Sequence, residues 1–316
     1  VSNRPLLLLL ALLGIAGLPL TVSACAHDDE EKDGESGFEA WLIEKNRKIS
    51  ETIDEAAEAI DVYVANAKLV DDPNRSQITL HNAFQLSEGG ERVYSPHVGA
   101  RLHLPNLQEK VQLRISSYDE DAEERGINEN RYRRSSAERT YGTSLSLIRE
   151  LGNVRTEFRP RVEYTDEVLT SYLFKFTSEA ERGAFSIDPE LQLFARSNDG
   201  TGQFVALNFG FQLSTKDELE VINEEQYTDG DNTMSTNHGL RWQHDYDRTY
   251  SFVNSVIVES NNRDTYHLDQ TIVSSSFRHK LRRNILHYSV TPFATFAKAE
   301  HFHPRAALDL KVEIIF

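Results

Sequence analysis

The chain has 316 residues, 39% of them hydrophobic and 27% charged, with a formal net charge of −16. That acidic balance excludes a nucleic-acid binder, which needs a basic footprint to displace counterions, and a polybasic patch docking on anionic lipid. A single cysteine, Cys25, excludes an intramolecular disulfide, and the length suits one large β domain or two average ones.

Taken in chain order, residues 4–24 have the layout of a secretory signal: Arg4, a Leu-rich core, then small residues before the charged "HDDEEKDGES". Gly17 and Pro19 interrupt the apolar run, so a permanent spanning helix is the poorer reading. Residues 1–25 are therefore expected to be a signal peptide. Within it, Val22-Ser23-Ala24-Cys25 resembles a lipobox with Val in place of the usual Leu, and this implies Cys25 as a lipidation site. The alternative is ordinary cleavage beside an incidental thiol. A lone acyl chain would be a weak anchor.

Residues 26–36 read as an acidic linker without order of its own. From residue 37 the period becomes helical. Phe38, Trp41, Leu42, Ile49, Ile53, Ala56, Ile60 and Tyr63 recur at three- and four-residue steps, and Asp71-Asp72-Pro73 stops the pattern. The spacing predicts an amphipathic helix over 37–70, acting as a periplasmic cap, a plug in a pore, a membrane-surface helix, an oligomer contact, or a hold on a protein partner.

After Ser76 the period switches to two. Val154, Thr156, Phe158, Pro160, Val162 and Tyr164 share one face, with Arg155, Glu157, Arg159, Arg161 and Glu163 on the other. Val168 to Phe176, Val205 to Leu213 and Val111 to Ile115 repeat the design. Strict alternation of this length means a sheet with one apolar and one strongly polar face. Turn signals divide 76–316 into about fourteen strands (12–16), most of them near the roughly 9–11 residues of a tilted bilayer-crossing strand. They fall near 76–86, 92–104, 109–119, 137–150, 153–165, 167–178, 183–197, 201–214, 217–228, 233–246, 248–260, 264–280, 284–298 and 303–316. Tight turns such as "ELGN" and "YDRT" alternate with longer connections such as "DEDAEERGINENRYRRSS", the asymmetry expected of an outer-membrane barrel.

Two architectures fit such strands: a soluble sandwich with its apolar face inward, and a membrane barrel with that face in lipid. Strand length favours the barrel, since soluble strands peak at roughly 5–6 residues. So do aromatics at strand ends (Tyr141, Tyr164, Trp242, Tyr250, Phe302), placed as interfacial girdles, and glycines on the polar face (Gly99, Gly142, Gly210, Gly239). The final strand, "LDLKVEIIF", resembles the C-terminal assembly signal of Gram-negative outer-membrane barrels. Leu308, Leu310, Val312, Ile314 and Phe316 match its alternate apolar positions and aromatic end, although its usual glycine is missing. The resemblance implies an outer-membrane location and recognition by the barrel-assembly machinery. The expected fold is all-β: a transmembrane, antiparallel, up-and-down β-barrel over 76–316, closed because an open edge in lipid leaves backbone groups unpaired.

No nucleotide loop, zinc spacing or nucleophile elbow is present, and no cofactor is implied. His301-x-His303 lacks a fixed third ligand. His238 and His244, with Ser235 and Ser274, are the residues a lipid hydrolase would draw on, but nothing in the spacing joins them. The informative constellation is the polar face. Arg101, Lys110, Arg114, Arg155, Arg159 and Arg161 would line one wall of a lumen; Asp188, Glu190, Glu220, Glu224, Asp309 and Glu313 would line another. Such arcs set up a transverse field that tunes ion selectivity, unless Glu150, Glu157 and Glu163 neutralise the arginines within a packed core. The expected function is a porin-like passive channel for small polar solutes or ions. The alternatives are a non-conducting assembly component and a lipid-modifying enzyme.

Overall fold

The computed structural model describes residues 37–65, 76–103, 111–117, 125–126, 141–164, 167–198, 200–281 and 285–316. Residues 1–36, read above as signal and linker and including Cys25, and Lys110 lie outside the described residues. An α-helix, α1 (Gly37–Ala65), precedes the strands β1 (Gln77–Ser87), β2 (Arg92–His103), β3 (Val111–Ser116), β4 (Tyr141–Leu151) and β5 (Val154–Tyr164). Then come β6 (Val168–Ser178), β7 (Ala180–Arg182), β8 (Phe185–Arg196), β9 (Gly200–Gln212) and β10 (Asp217–Thr228). The chain continues through β11 (Thr233–Asp245), β12 (Tyr250–Asn261), β13 (His267–Lys280), β14 (Leu286–Ala297) and β15 (Pro304–Ile315).

Consecutive segments pair antiparallel, except β6 with β7, and the ladder closes into a ring. β1 pairs with β15, and β6 pairs with β8. β6 and β7 are one strand in two pieces. Thr177↔Glu190 and Ala180↔Ile187 hold a single register, which sets Ser178 opposite Pro189. Proline has no N–H to give the ladder, so pairing skips there and resumes. The result is a closed barrel of fourteen strands. At the seam, Ile78 and Phe316 exchange backbone bonds of 3.0 and 2.8 Å, so β15 pairs along its length and leaves no open edge.

Outward positions carry the apolar alternates. Tyr172, Phe174, Leu191, Leu193, Val205, Leu207, Leu240, Val256 and Val273 are all exposed, and Phe158 packs on Phe174 at 4.5 Å. Burying such surface in water-free lipid is favourable, whereas in water it would be an unusually large apolar patch. Tyr141, Tyr164, Trp242, Tyr250 and Phe302 are exposed at the two rims, as the girdle reading requires. No described helix is long and apolar enough to cross a membrane.

α1 takes up part of the outward face. Ile53 and Ala57, each 1% exposed, pack with Ile78 of β1 and Leu102 of β2; Ile49, Leu80, Val98, Leu113 and Phe316 surround them. Ile78, Leu80, Val98 and Leu102 alternate with the inward residues Thr79, His81, Gly99 and Arg101. The described helix contacts are therefore made outside the barrel, at the rim that carries both of its ends. Asn46 Nδ2 donates to the Ile315 carbonyl at 2.6 Å, tying the helix to the closing strand.

Candidate functional site: the charged lumen wall

The antiparallel register sets inward side chains in rows that cross several strands. One row runs Arg101↔Arg114↔Ser144↔Arg161↔Ser171↔Arg196, from β2 through β3, β4, β5 and β6 to β8. A guanidinium alternates with a serine at nearly every step, because directly opposed like charges repel and a small hydroxyl between them gives room. Arg101 and Arg114 are the one directly opposed pair. Arg161 is only 2% exposed and lies along the wall. Its Nε donates to Glu163 Oε1 at 2.7 Å and its Nη1 to Ser116 Oγ at 2.9 Å. A Cβ on Gly142 would overlap that guanidinium, so glycine here is room made for an arginine.

The adjacent row brings Ser146 opposite Arg159. Arg159 is 1% exposed; its Nε donates to Ser146 Oγ at 3.2 Å, and its Nη2 meets Glu157 Oε1 at 2.7 Å. The same carboxylate oxygen lies 3.6 Å from Arg114 Nη2. One carboxylate thus serves two guanidiniums. Arg155, at the rim that carries both barrel ends, is exposed and faces Glu150 across the β4–β5 pair.

The acidic residues expected on the other arc do face inward, but they are engaged locally. Glu190 pairs with Lys175 at 3.0 Å and accepts from Gln192 Nε2 at 2.5 Å. Glu220 meets Arg241 Nη2 at 2.5 Å, and Asn237 Nδ2 donates to Glu224 at 3.4 Å. Asp188 accepts from Ser186 Oγ at 3.4 Å. On β15, Asp309 lies 3.6 Å from Lys311, and Glu313 lies 3.9 Å from His81 Nδ1. Neighbour pairing of both signs therefore runs around the wall, with inward arginines on β2, β3, β5 and β8 and again on β11, β13 and β15.

Two features of the wall have no counterpart in the alternation pattern. The inward face is not uniformly polar: Leu173, Phe194, Phe204 and Ala206 form one buried apolar cluster, and Ile222 with Ile257 forms another. The second is Arg125. It lies in the connection between β3 and β4, yet it is 4% exposed and set against the wall of β8–β10. Its Nε donates to Gln192 Oε1 at 3.0 Å and its Nη1 to Gln226 Oε1 at 3.1 Å, while its guanidinium stands 4.2 Å over the Phe194 ring. In "EERGINENRYRR" only its neighbour separates Arg125 from Arg131, Arg133 or Arg134. A loop arginine followed by glycine is the only signal the sequence holds.

The hydrolase constellation is not assembled. His238 faces outward beside Asn223 at 3.2 Å, whereas Ser274 is buried on the inward side, 2.6 Å from Ser255. His301 and His303 are exposed around the 3-10 turn Lys298–Glu300. Among the described residues no group of three His, Cys, Asp or Glu side chains could hold a metal ion.

No protein-family profile and no curated protein matches this sequence. Solved structures do. A loop-deletion mutant of OmpT, an outer membrane protein of Vibrio cholerae, is 5% identical with a TM-score of 0.50, over 77% of this chain and 99% of that one. The outer membrane channel DcaP of Acinetobacter baumannii is 8% identical with a TM-score of 0.49, over 77% and 97%. Pseudomonas aeruginosa OpdK, solved with vanillate, is 9% identical with a TM-score of 0.46, over 76% and 98%. The likeness to the Vibrio protein is one of fold. Together with the closed ladder and the apolar outer belt, it gives this chain the fold of an outer-membrane β-barrel.

Proposed function

We propose that the barrel is a passive channel for small polar solutes or ions. The observation that supports this reading is the inward row of guanidiniums, Arg114, Arg161 and Arg196, with Arg159 beside it, inside a closed wall. A charge at a low-dielectric wall acts on passing ions through its field, so a guanidinium need not be exposed to influence them. Holding such charges in place costs desolvation, which the carboxylates Glu157 and Glu163 offset. A barrel serving only as a lipid-embedded scaffold has no need for this arrangement.

The second reading is a non-conducting barrel whose lumen is a closed polar core, and the near-complete burial of Arg159 and Arg161 favours it. Osmotic swelling of proteoliposomes separates the two. A channel swells with small sugars and amino acids, and Arg159→Glu changes the order in which charged solutes enter. Liposomes carrying folded barrel that swell no faster than empty ones favour the closed core.

A further inference from the structure

We propose that the lipid-side face of β10 and β11 is where a second copy of this chain docks within the membrane, with Glu225 of each copy set against His238 of the other. The inference is independent of whether the lumen conducts.

Strand alternation puts Glu225 outside the barrel. It is exposed and stands opposite the outward Val205 of β9, while its neighbour Glu224 is buried on the lumen side. The row that reaches Glu225 is otherwise apolar, running Phe176, Leu191 and Val205 across β6, β8 and β9. One step along the same face of β10, Asn223 stands directly opposite His238 of β11. The His238 ring is exposed, and its Nδ1 lies 3.2 Å from Asn223 Oδ1. Tyr227 follows Glu225 on this face before the loop, and Val221 with Leu240 lies on its other side. The polar group is thus set within the apolar belt.

Polar side chains are costly where lipid offers them nothing to bond, and inside membranes they hold protein to protein. Here two are left unmet. Neither His238 Nε2 nor the Glu225 carboxylate has a hydrogen-bond partner among the described residues, and they do not pair with each other within the chain. An imidazole brought against a carboxylate in a water-poor contact shares one proton with it, whichever group holds it. A second copy supplies both groups. A two-fold axis along the membrane normal preserves depth, and Glu225 faces Thr236, one side-chain step from His238. A contact of this symmetry forms the pair twice. Val221 and Leu240, opposite each other beside it, add apolar surface from each copy. An anionic lipid headgroup would be repelled by Glu225 and would leave it without a donor.

The test is photo-crosslinking of the full chain in intact outer membranes of cells that co-express two differently tagged copies. A benzophenone side chain in place of Leu240 should give an adduct carrying both tags. The same probe in place of Leu147 on β4, also exposed but towards the opposite side of the ring, should give none. Glu225→Leu and His238→Leu suit lipid better, so both should keep the heat-shifted gel mobility of a folded barrel. Each should raise the monomer–dimer dissociation constant in detergent roughly tenfold, the scale of a hydrogen bond between membrane segments. Adducts from position 240 that carry a single tag, an equal two-tag yield from position 147, or an unchanged dissociation constant in either folded variant would each overturn the proposal. A silent barrel that forms the two-tag adduct removes the channel reading and leaves this inference standing. A conducting barrel that forms no such adduct does the reverse.

Discussion

Glu157 shows how single residues hold this wall together. It is 8% exposed and lies against two arginines, at 2.7 Å from Arg159 and 3.6 Å from Arg114. Removing the carboxylate leaves both guanidiniums buried beside one neutral amide, which is the costly way to break a buried pair. Glu157→Gln should therefore destabilise the barrel by about 3 kcal/mol. Glu300→Gln, which breaks the exposed Arg305 pair at 3.0 Å, should change stability by less than about 1 kcal/mol. Urea unfolding of the two variants in the same detergent checks the contrast, and equal midpoints would refute it. Arg114, Arg159 and Arg161 were legible in the sequence because strand alternation fixes which side a residue faces. Arg125 was not. A loop has no period, and its position depends on Gln192, Phe194 and Gln226, residues 67 or more positions away in the chain.

At the level of elements, the strands were legible and their supports were not. Alternation together with turn signals places every strand to within a few residues of the observed bounds, because a half-apolar sheet repeats at exactly the pleat period. The interruption between β6 and β7 is written in Pro189, but it acts only on the strand opposite and is invisible until the register is known. The helical spacing of α1 announced an amphipathic helix. Its docking face on Ile78 and Leu102 was hidden, since outward residues covered by a helix and outward residues covered by lipid are equally apolar. The turn between β11 and β12 is held by a different device. The Asp247 carboxylate accepts from the Thr249 hydroxyl at 2.6 Å and from the backbone N–H groups of Thr249 and Tyr250 at 2.7 and 2.9 Å. The Thr249 hydroxyl first, then these N–H groups, hold its pKa below the ordinary aspartate value. A depressed folded-state pKa gives stability that is present above the unfolded pKa and fades as pH falls through the folded one. Amide exchange at Thr249 and Tyr250 should thus be insensitive to Asp247 protonation at neutral pH. Protection, after correction for the intrinsic rate, should fall below about pH 3.8, the ordinary aspartate value. Asp247→Asn should abolish that pH dependence, and its persistence in the variant would assign it elsewhere.

For the whole molecule, the period of two predicted a sheet with a wet and a greasy side, and the resemblance of the last strand to an assembly signal chose lipid for the greasy one. The closed ladder follows from the same need, since neither edge can face lipid unpaired. What alternation could not reveal is how the lumen is furnished. Leu173, Phe194, Phe204, Ile222 and Ile257 stand on the inward side among the charges, because a curved wall brings neighbouring rows close enough to bury apolar groups against one another. The lumen is therefore a patterned surface, on which rows of arginine and serine, ion pairs and apolar clusters alternate. On the channel reading, this surface lines a path for solutes. Single-channel recording from the purified full chain in a planar bilayer tests it most directly. Discrete current steps whose size scales with salt concentration are the expected result. A membrane loaded with folded barrel, verified by its heat-shifted mobility on a gel, that passes no current steps would contradict it.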